Sequence, residues 1–329
     1  MHVLARLAMV LLCLAFPLKA YATFSIAACA PDGACGVAVA TNNLAVGASV
    51  IYARARVGAL ATQYETNPAY GPRGLDLLAD GLPPSKVMAE LLAKDGNFDG
   101  TTIAARQVGI VSVAGASMAY TGEEAAASAW AGARHGKGYS VQGNGLASER
   151  VLTAMEKDFL SCRATLANCL VASLEAGENA GGQTIGRLSA ALLVKTPGGA
   201  WEDIDLRVDA SASPVPDLRR LLDRYYAHQA IIDAEHLADR GKIAEAKVAL
   251  AQALHLSWQW DRIWRRAARL SMQLGRPEDA LSELGVFAAG NPTWARIELQ
   301  DPIYQPLHDN ALFKSWADAV GSAGDERPK

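Results

Sequence analysis

From Thr23 onward the chain alternates with the period of two that marks strands. Phe24, Ile26 and Ala28 interleave with Ser25, Ala27 and Cys29, and Val37 and Val39 resume the alternation after the turn sequence Pro31-Asp32-Gly33. Further short, small-residue strands are expected at 44–51 and 57–62. The stretch 64–72 is a loop by its turn chemistry. Leu75, Leu77, Leu78 and Leu82 mark one short helix, and Pro83-Pro84-Ser85 starts a second with Val87, Met88, Leu91 and Leu92 on one face. After a loop at 96–101 come strands at 106–113 and 116–120, then a glycine-rich polar stretch at 121–146. A long helical stretch is expected over 148–176. Gly181-Gly182 interrupts the chain, and strands at 188–195 and 204–208 close the series. Many strands, two helical blocks and no regular βαβ alternation predict a layered α+β domain.

The stretch 209–217, rich in Asp, Ser, Ala and Pro, reads as a linker, and the pattern is helical from there to near the end. This part repeats. Gly241, Ala246 and Leu250 recur as Gly275, Ala280 and Leu284, each 34 residues on. A 34-residue helix-turn-helix period resembles the tetratricopeptide family. Two repeats are few for independent stability, so 218–234 and 294–320 are expected to act as caps. Trp258, Trp260, Trp264 and Trp294 are dense here, and at least two are expected to pack between helices. The expected division is therefore 1–22, 23–217 and 218–329.

Residues 1–22 read as a secretory signal. Arg6 supplies the positive region, 7–18 the apolar run, and Ala20-Tyr21-Ala22 the small-x-small cleavage site. The apolar run is too short for a transmembrane helix, and no later run of membrane length follows. No stable membrane anchor is expected after cleavage, and the product is expected in the periplasm or outside the cell. Formal net charge is −3, and the leader carries Arg6 and Lys19, so the processed chain is −3 − 2 = −5. That balance argues against a nucleic-acid partner. Four cysteines remain in two local pairs, and an oxidising compartment favours disulfides. Cys29 and Cys35 flank the turn and can meet across a hairpin. Cys162 and Cys169 would stand about 10 Å apart in an unbroken helix, too far to bridge. Either the helix breaks between them or they stay reduced.

Cleavage after Ala22 gives Thr23 a free α-amine. A hydroxyl and an amine on one residue form a nucleophile with its own base, because an α-amine of pKa about 7.7–8 is partly neutral near pH 7. His135, His228, His236, His255 and His308 are scattered without ligand spacing, so no metal site is expected, and no cofactor motif is present. Gln63, Asn67, Gln142 and Asn144 supply neutral hydrogen-bonding groups at strand ends and loops. Asn144, expected in a glycine-flanked loop after a strand, is the first choice as oxyanion donor and Gln63 the second. Asp205 and Arg207 alternate on one strand face and, with Asn67 and Gln142, are candidates for binding substrate.

Several blocks carry a resemblance: Thr23-Phe24-Ser25-Ile26, Gly36-Val37-Ala38-Val39-Ala40, Gly58-Ala59-Leu60-Ala61-Thr62-Gln63 and Asn67-Pro68-Ala69-Tyr70-Gly71-Pro72. Arg106-Gln107-Val108-Gly109, Tyr139-Ser140-Val141-Gln142-Gly143-Asn144 and Asp205-Leu206-Arg207-Val208-Asp209 continue it. Together they resemble domain of unknown function 1028, a family similar to the N-terminal-nucleophile (Ntn) hydrolases, over roughly 23–222. The resemblance implies a four-layer αββα sandwich with the terminal Thr at the open end of the sheets. It implies hydrolysis of a peptide or other amide bond. The alternative is a non-catalytic binding or scaffold protein whose helical repeats hold a protein partner; self-association as a homo-oligomer is also left open. The chain departs from the family pattern at Gln183-Thr184-Ile185-Gly186-Arg187 and at Leu188, and Asn42 and Asn43 stand where a lysine is common in Ntn hydrolases.

Overall fold

The computed structural model describes residues 22–322 and divides the chain into two compact units that meet at Val215 and Pro216. The leader expected at 1–22 lies, apart from Ala22, outside the described residues. The first unit is mixed α+β and holds two antiparallel sheets. Its strands are β1 (Thr23–Cys29), β2 (Cys35–Thr41), β3 (Ile51–Arg54), β4 (Gly58–Tyr64), β5 (Arg106–Ser112), β6 (Ser117–Thr121), β7 (Gly132–Gly136), β8 (Tyr139–Asn144), β9 (Ser189–Lys195) and β10 (Ile204–Val208). Its helices are α1 (Tyr70–Ala79), α2 (Pro84–Ala93), α3 (Glu123–Ala126), α4 (Arg150–Ser161) and α5 (Leu166–Asn179). The six-stranded sheet runs β10-β9-β2-β1-β8-β7 and the four-stranded sheet β3-β4-β5-β6.

The strands pair where small apolar residues let two sheets approach. Ala27, Val37, Val39 and Ala191 of the larger sheet pack on Ala59, Ala61 and Val111 of the smaller one. The odd positions of β1 therefore face the second sheet, and its even positions face away. A Cβ placed on Gly177 of α5 would stand 3.4 Å from the ring of Phe24, so α5 covers that outer face. On the other sheet, Leu75, Leu78, Val87, Met88 and Leu91 of α1 and α2 pack against Leu60, Val108 and Ile110.

Three expectations are corrected. Residues 44–50 form no strand. Val46–Ala48 is a single 3-10 turn entered through Ala45 at φ 52°, and the strand begins only at Ile51. The long helix at 148–176 is broken. Cys162 leaves α4 in an extended conformation and Thr165 caps α5 by accepting from the Asn168 amide. That break brings Cys162 and Cys169 to a Cα separation of 5.6 Å, and they are bridged. Cys29 and Cys35 are also bridged, as directly opposed residues at the end of the β1–β2 hairpin. Finally, Pro214, Val215 and Pro216 open a helix instead of extending the linker, because proline suits a first helical turn.

The second unit is helical. It comprises α6 (Pro214–Asp239, most of which lies beyond Val215), α7 (Ile243–Leu256), α8 (Asp261–Gln273), α9 (Pro277–Gly290), α10 (Pro292–Glu298) and α11 (Ala311–Ser322). Gly241 and Gly275, 34 residues apart, take φ of +73° and +68° in the turns before α7 and α9, a conformation glycine adopts without strain. Trp264 and Trp294 pack against Ala268, Leu284 and Phe287, and Trp260 packs on the cluster around Ile231 and Ile263. Trp258 stays half-exposed with its Nε1 donating to Asp223. Among the described residues no helix is long and apolar enough to cross a membrane.

Candidate active site

Thr23 is the first residue of β1, a strand with two neighbours on one side and three on the other counted across the sheet. Its register partners are Thr41 on β2 and Asn144 on β8, and Ser189 on β9 pairs in turn with Thr41. Ser189, Thr41, Thr23 and Asn144 thus form one polar row across four adjacent strands. The next inward row on β1 and β8 is Ser25 and Gln142. Opposite, on β4, β5 and β6, Gln63, Gln107 and Thr121 are paired in register. One end of the space between the sheets is therefore lined with hydroxyls and amides, while the rest is apolar.

These groups are nearly all fully buried, so each needs partners. Ser25 Oγ donates to Gln63 Oε1 at 2.6 Å and accepts from Gln142 Nε2 at 2.7 Å. Gln63 Nε2 donates to the Thr23 carbonyl at 3.3 Å and to Gln107 Oε1 at 2.8 Å. Gln107 Nε2 donates to Thr121 Oγ1 and to the carbonyls of Gly132 and Gly143, at 2.9 Å for the last. Asn144 Nδ2 donates to Gln107 Oε1 at 2.9 Å. A Cβ at Gly109 would fall 2.0 Å from Gln142 Oε1, so only glycine leaves room for that amide between the sheets.

Thr23 is 4% exposed, and its hydroxyl lies 3.0 Å from Thr41 Oγ1. Thr41 Oγ1 donates to the Ala22 carbonyl at 2.8 Å. A hydroxyl has one proton, so Thr23 must be the donor to Thr41. The hydroxyls thus form a relay from Thr23 to Thr41 to the carbonyl of the Ala22–Thr23 peptide bond. Thr23 faces this closed network rather than an open pocket. A small cavity lies instead on the outer face of β1, between Phe24, Ala40, Glu178, Gln183 and Arg187.

The candidates from the sequence divide between three places. Thr23, Gln63, Gln142 and Asn144 meet in the network, with Asn144 closing strand β8 rather than lying in a loop. Asn67 belongs to a separate buried cluster, where its Nδ2 and the Tyr70 hydroxyl donate to Asp95 and Arg106 pairs with the same carboxylate at 2.9 Å. Asp205 and Arg207 form a half-exposed ion pair on β10. Two strands separate β10 from β1, which places the pair roughly 14 Å away along the sheet. Asp205 and Arg207 therefore do not join the Thr23 network. Gln107, Thr41 and Ser25 were not singled out from the sequence, although Gln107 sits in the block Arg106-Gln107-Val108-Gly109. A glutamine on the core-facing side of an otherwise apolar strand is the signal that points to it.

The family of unknown function DUF1028 matches residues 23–218. This chain belongs to that family. A crystal structure of protein SPO2555 from Silicibacter pomeroyi, also DUF1028, is similar at a TM-score of 0.55 and 32% identity, covering 61% of this chain and 84% of that one. No curated protein matches the chain. The match begins at Thr23, the residue that follows the small-x-small sequence.

Proposed function

We propose that this DUF1028 chain is an Ntn-type amidohydrolase of the periplasm or cell exterior, built as a four-layer αββα sandwich with a tetratricopeptide-like helical unit. The observation that carries the reading is the position of Thr23. It is at once the residue after a signal-type cleavage sequence, the start of a mid-sheet strand, and the start of the family match. The two disulfides support an oxidising compartment. In this reading the α-amine of processed Thr23 takes the Oγ proton as Oγ attacks the carbonyl carbon of a peptide or other amide. The tetrahedral species collapses, the ammonium returns the proton to the leaving amine, and water hydrolyses the threonyl ester. Catalysis begins only when the Ala22–Thr23 bond is cut, because an amide nitrogen has no free lone pair to act as base.

A β-lactone offered to the processed protein should label Thr23 and spare Thr23→Ala. N-terminal sequencing of the exported chain should begin at Thr23-Phe24-Ser25-Ile26. A mature terminus elsewhere, or equal labelling with a residue left before Thr23, sinks the mechanism. A second reading, a binding platform, draws on the near-complete burial of Thr23 and on a cleft of about 670 Å³ in the helical unit, lined by Leu281, Gly285, Val286, Leu312 and Trp316. Absence of labelling across several electrophile classes favours that reading.

A further inference from the structure

The geometry points to Asn144 as the residue that holds the α-amine of processed Thr23, through its side-chain oxygen, rather than as an oxyanion donor. The inference rests on the proposed cleavage before Thr23. Its origin is an unpaired atom. Asn144 is fully buried and Oδ1 has no hydrogen-bond partner, although a buried polar atom left unpaired is destabilising. The amide cannot turn to relieve this. Gln107 Nε2 faces the carbonyls of Gly132 and Gly143, which fixes Gln107 Oε1 as the acceptor for Asn144. An acceptor demands a donor, so Nδ2 must face Gln107 and Oδ1 must face elsewhere.

Thr23 is the residue directly opposite Asn144, and opposed residues have Cβ atoms roughly 5 Å apart. In the uncut chain the Thr23 nitrogen is an amide with a single N–H. Cleavage turns it into an amine with two N–H groups, or an ammonium with three, and frees it to move within the space left by Ala22. The donor that Oδ1 lacks is then supplied by the group that cleavage creates. Thr41 keeps the Thr23 hydroxyl in place on the other side of β1. No ionised side chain takes part in the network. The charged or titratable groups on neighbouring elements are the Arg106–Asp95 pair, which faces away from the inter-sheet space, His135 at the far end of β7 beside Ser117, the Arg134–Glu156 pair with Tyr139 between β7, β8 and α4, and Glu175, Glu178 and Arg187 on the helix-covered side.

Asn144 is in this role a positioning residue, and its signature is the basicity of the amine. A hydrogen bond accepted from the charged form favours that form. The test is the pH profile of N-terminal carbamoylation by cyanate, which consumes only the neutral amine, followed by peptide mass spectrometry of the full processed chain. Asn144→Leu should lower the apparent amine pKa by about half a unit or more, and Asn144→Asp, which places a carboxylate oxygen there, should raise it. An unchanged profile in folded Asn144→Leu, or no rise in Asn144→Asp, overturns the inference. If Asn144→Leu does not fold, the Asp variant decides alone. The outcome separates from that of the hydrolase reading. Thr23 labelling with an Asn144-independent profile keeps the enzyme and rejects this role. An Asn144-dependent profile without labelling does the reverse.

Discussion

At the scale of single residues, the site is held by amides whose orientations depend on one another. Gln107 is the hub, since it accepts from two side chains and donates to two backbone carbonyls. Gln107→Leu keeps the volume and removes every partner. It leaves the Gly143 carbonyl, Gln63 Nε2 and Asn144 Nδ2 short of bonds, and should cost about 2–4 kcal/mol in urea unfolding. A loss below about 1 kcal/mol would mean that water or a side-chain turn replaces it. Thr23 stands out in the sequence because a small-x-small pattern before a strand is linear. Gln107 does not, because its importance lies in what β8 and β4 bring to it. Gln142 and Asn144 are candidates for their amides, but their places follow from register: one fills the room left by Gly109, the other opposes Thr23.

At the scale of elements, the sequence predicted strands better than the joints between them. Alternation in 23–41 and 57–62 is a local property, so β1, β2 and β4 follow from it. The break between α4 and α5 lies at the extended Cys162 and the Thr165 cap and lets Cys162 meet Cys169, and none of these changes helical periodicity. The joint from α2 to β5 is held by a buried ion pair. Arg106 is fully buried, pairs with Asp95, and also donates to the carbonyls of Glu65, Phe98 and Thr101. Arg106→Met strands the Asp95 carboxylate and should cost about 3–5 kcal/mol. Burial pushes the Asp95 carboxyl up, but bonds from Arg106, Tyr70 and Asn67 outweigh it and hold the pKa below the usual range. A folded-state pKa below the unfolded value gives stability that is present above about pH 4 and lost as pH falls through the folded value. Urea midpoints taken from pH 6 downward should show this acid limb in the wild type. An acid limb of equal size in Arg106→Met would remove Asp95 as its source.

At the scale of the whole molecule, the chain is built from two compact units. The family match ends at residue 218, close to the boundary between the units, so the proposed reactivity at Thr23 belongs to the first unit and the helical unit is proposed as a recruitment surface. A chain truncated after Asp217 should keep electrophile labelling at Thr23. Loss of labelling in a truncated chain that remains folded would assign the helical unit a part in the site. The helical unit also has its own dependence on pH. Glu283 of α9 is 5% exposed, its Oε2 lacks a hydrogen-bond partner, and burial pushes its carboxyl up to about 7. Here the folded-state pKa lies above the unfolded value of 4.5, so the protonated acid is the form that the fold tolerates. Its penalty is absent below about pH 4.5, grows as pH rises, and is complete above about pH 7. The full span corresponds to about 3 kcal/mol. The sign is opposite to that of Asp95, whose contribution is lost on acidification. Trp258, Trp260, Trp264, Trp294 and Trp316 lie in the helical unit, against Trp130 and Trp201 in the first, so tryptophan fluorescence mainly reports the helices. Denaturant midpoints followed in this way should fall between pH 5 and pH 8. Glu283→Gln, which keeps the shape without the charge, should flatten that fall and exceed the wild type above pH 7. If Glu283→Gln follows the wild-type curve, the carboxyl is not buried in solution as it is in this structure, and the packing of α9 on α8 must differ.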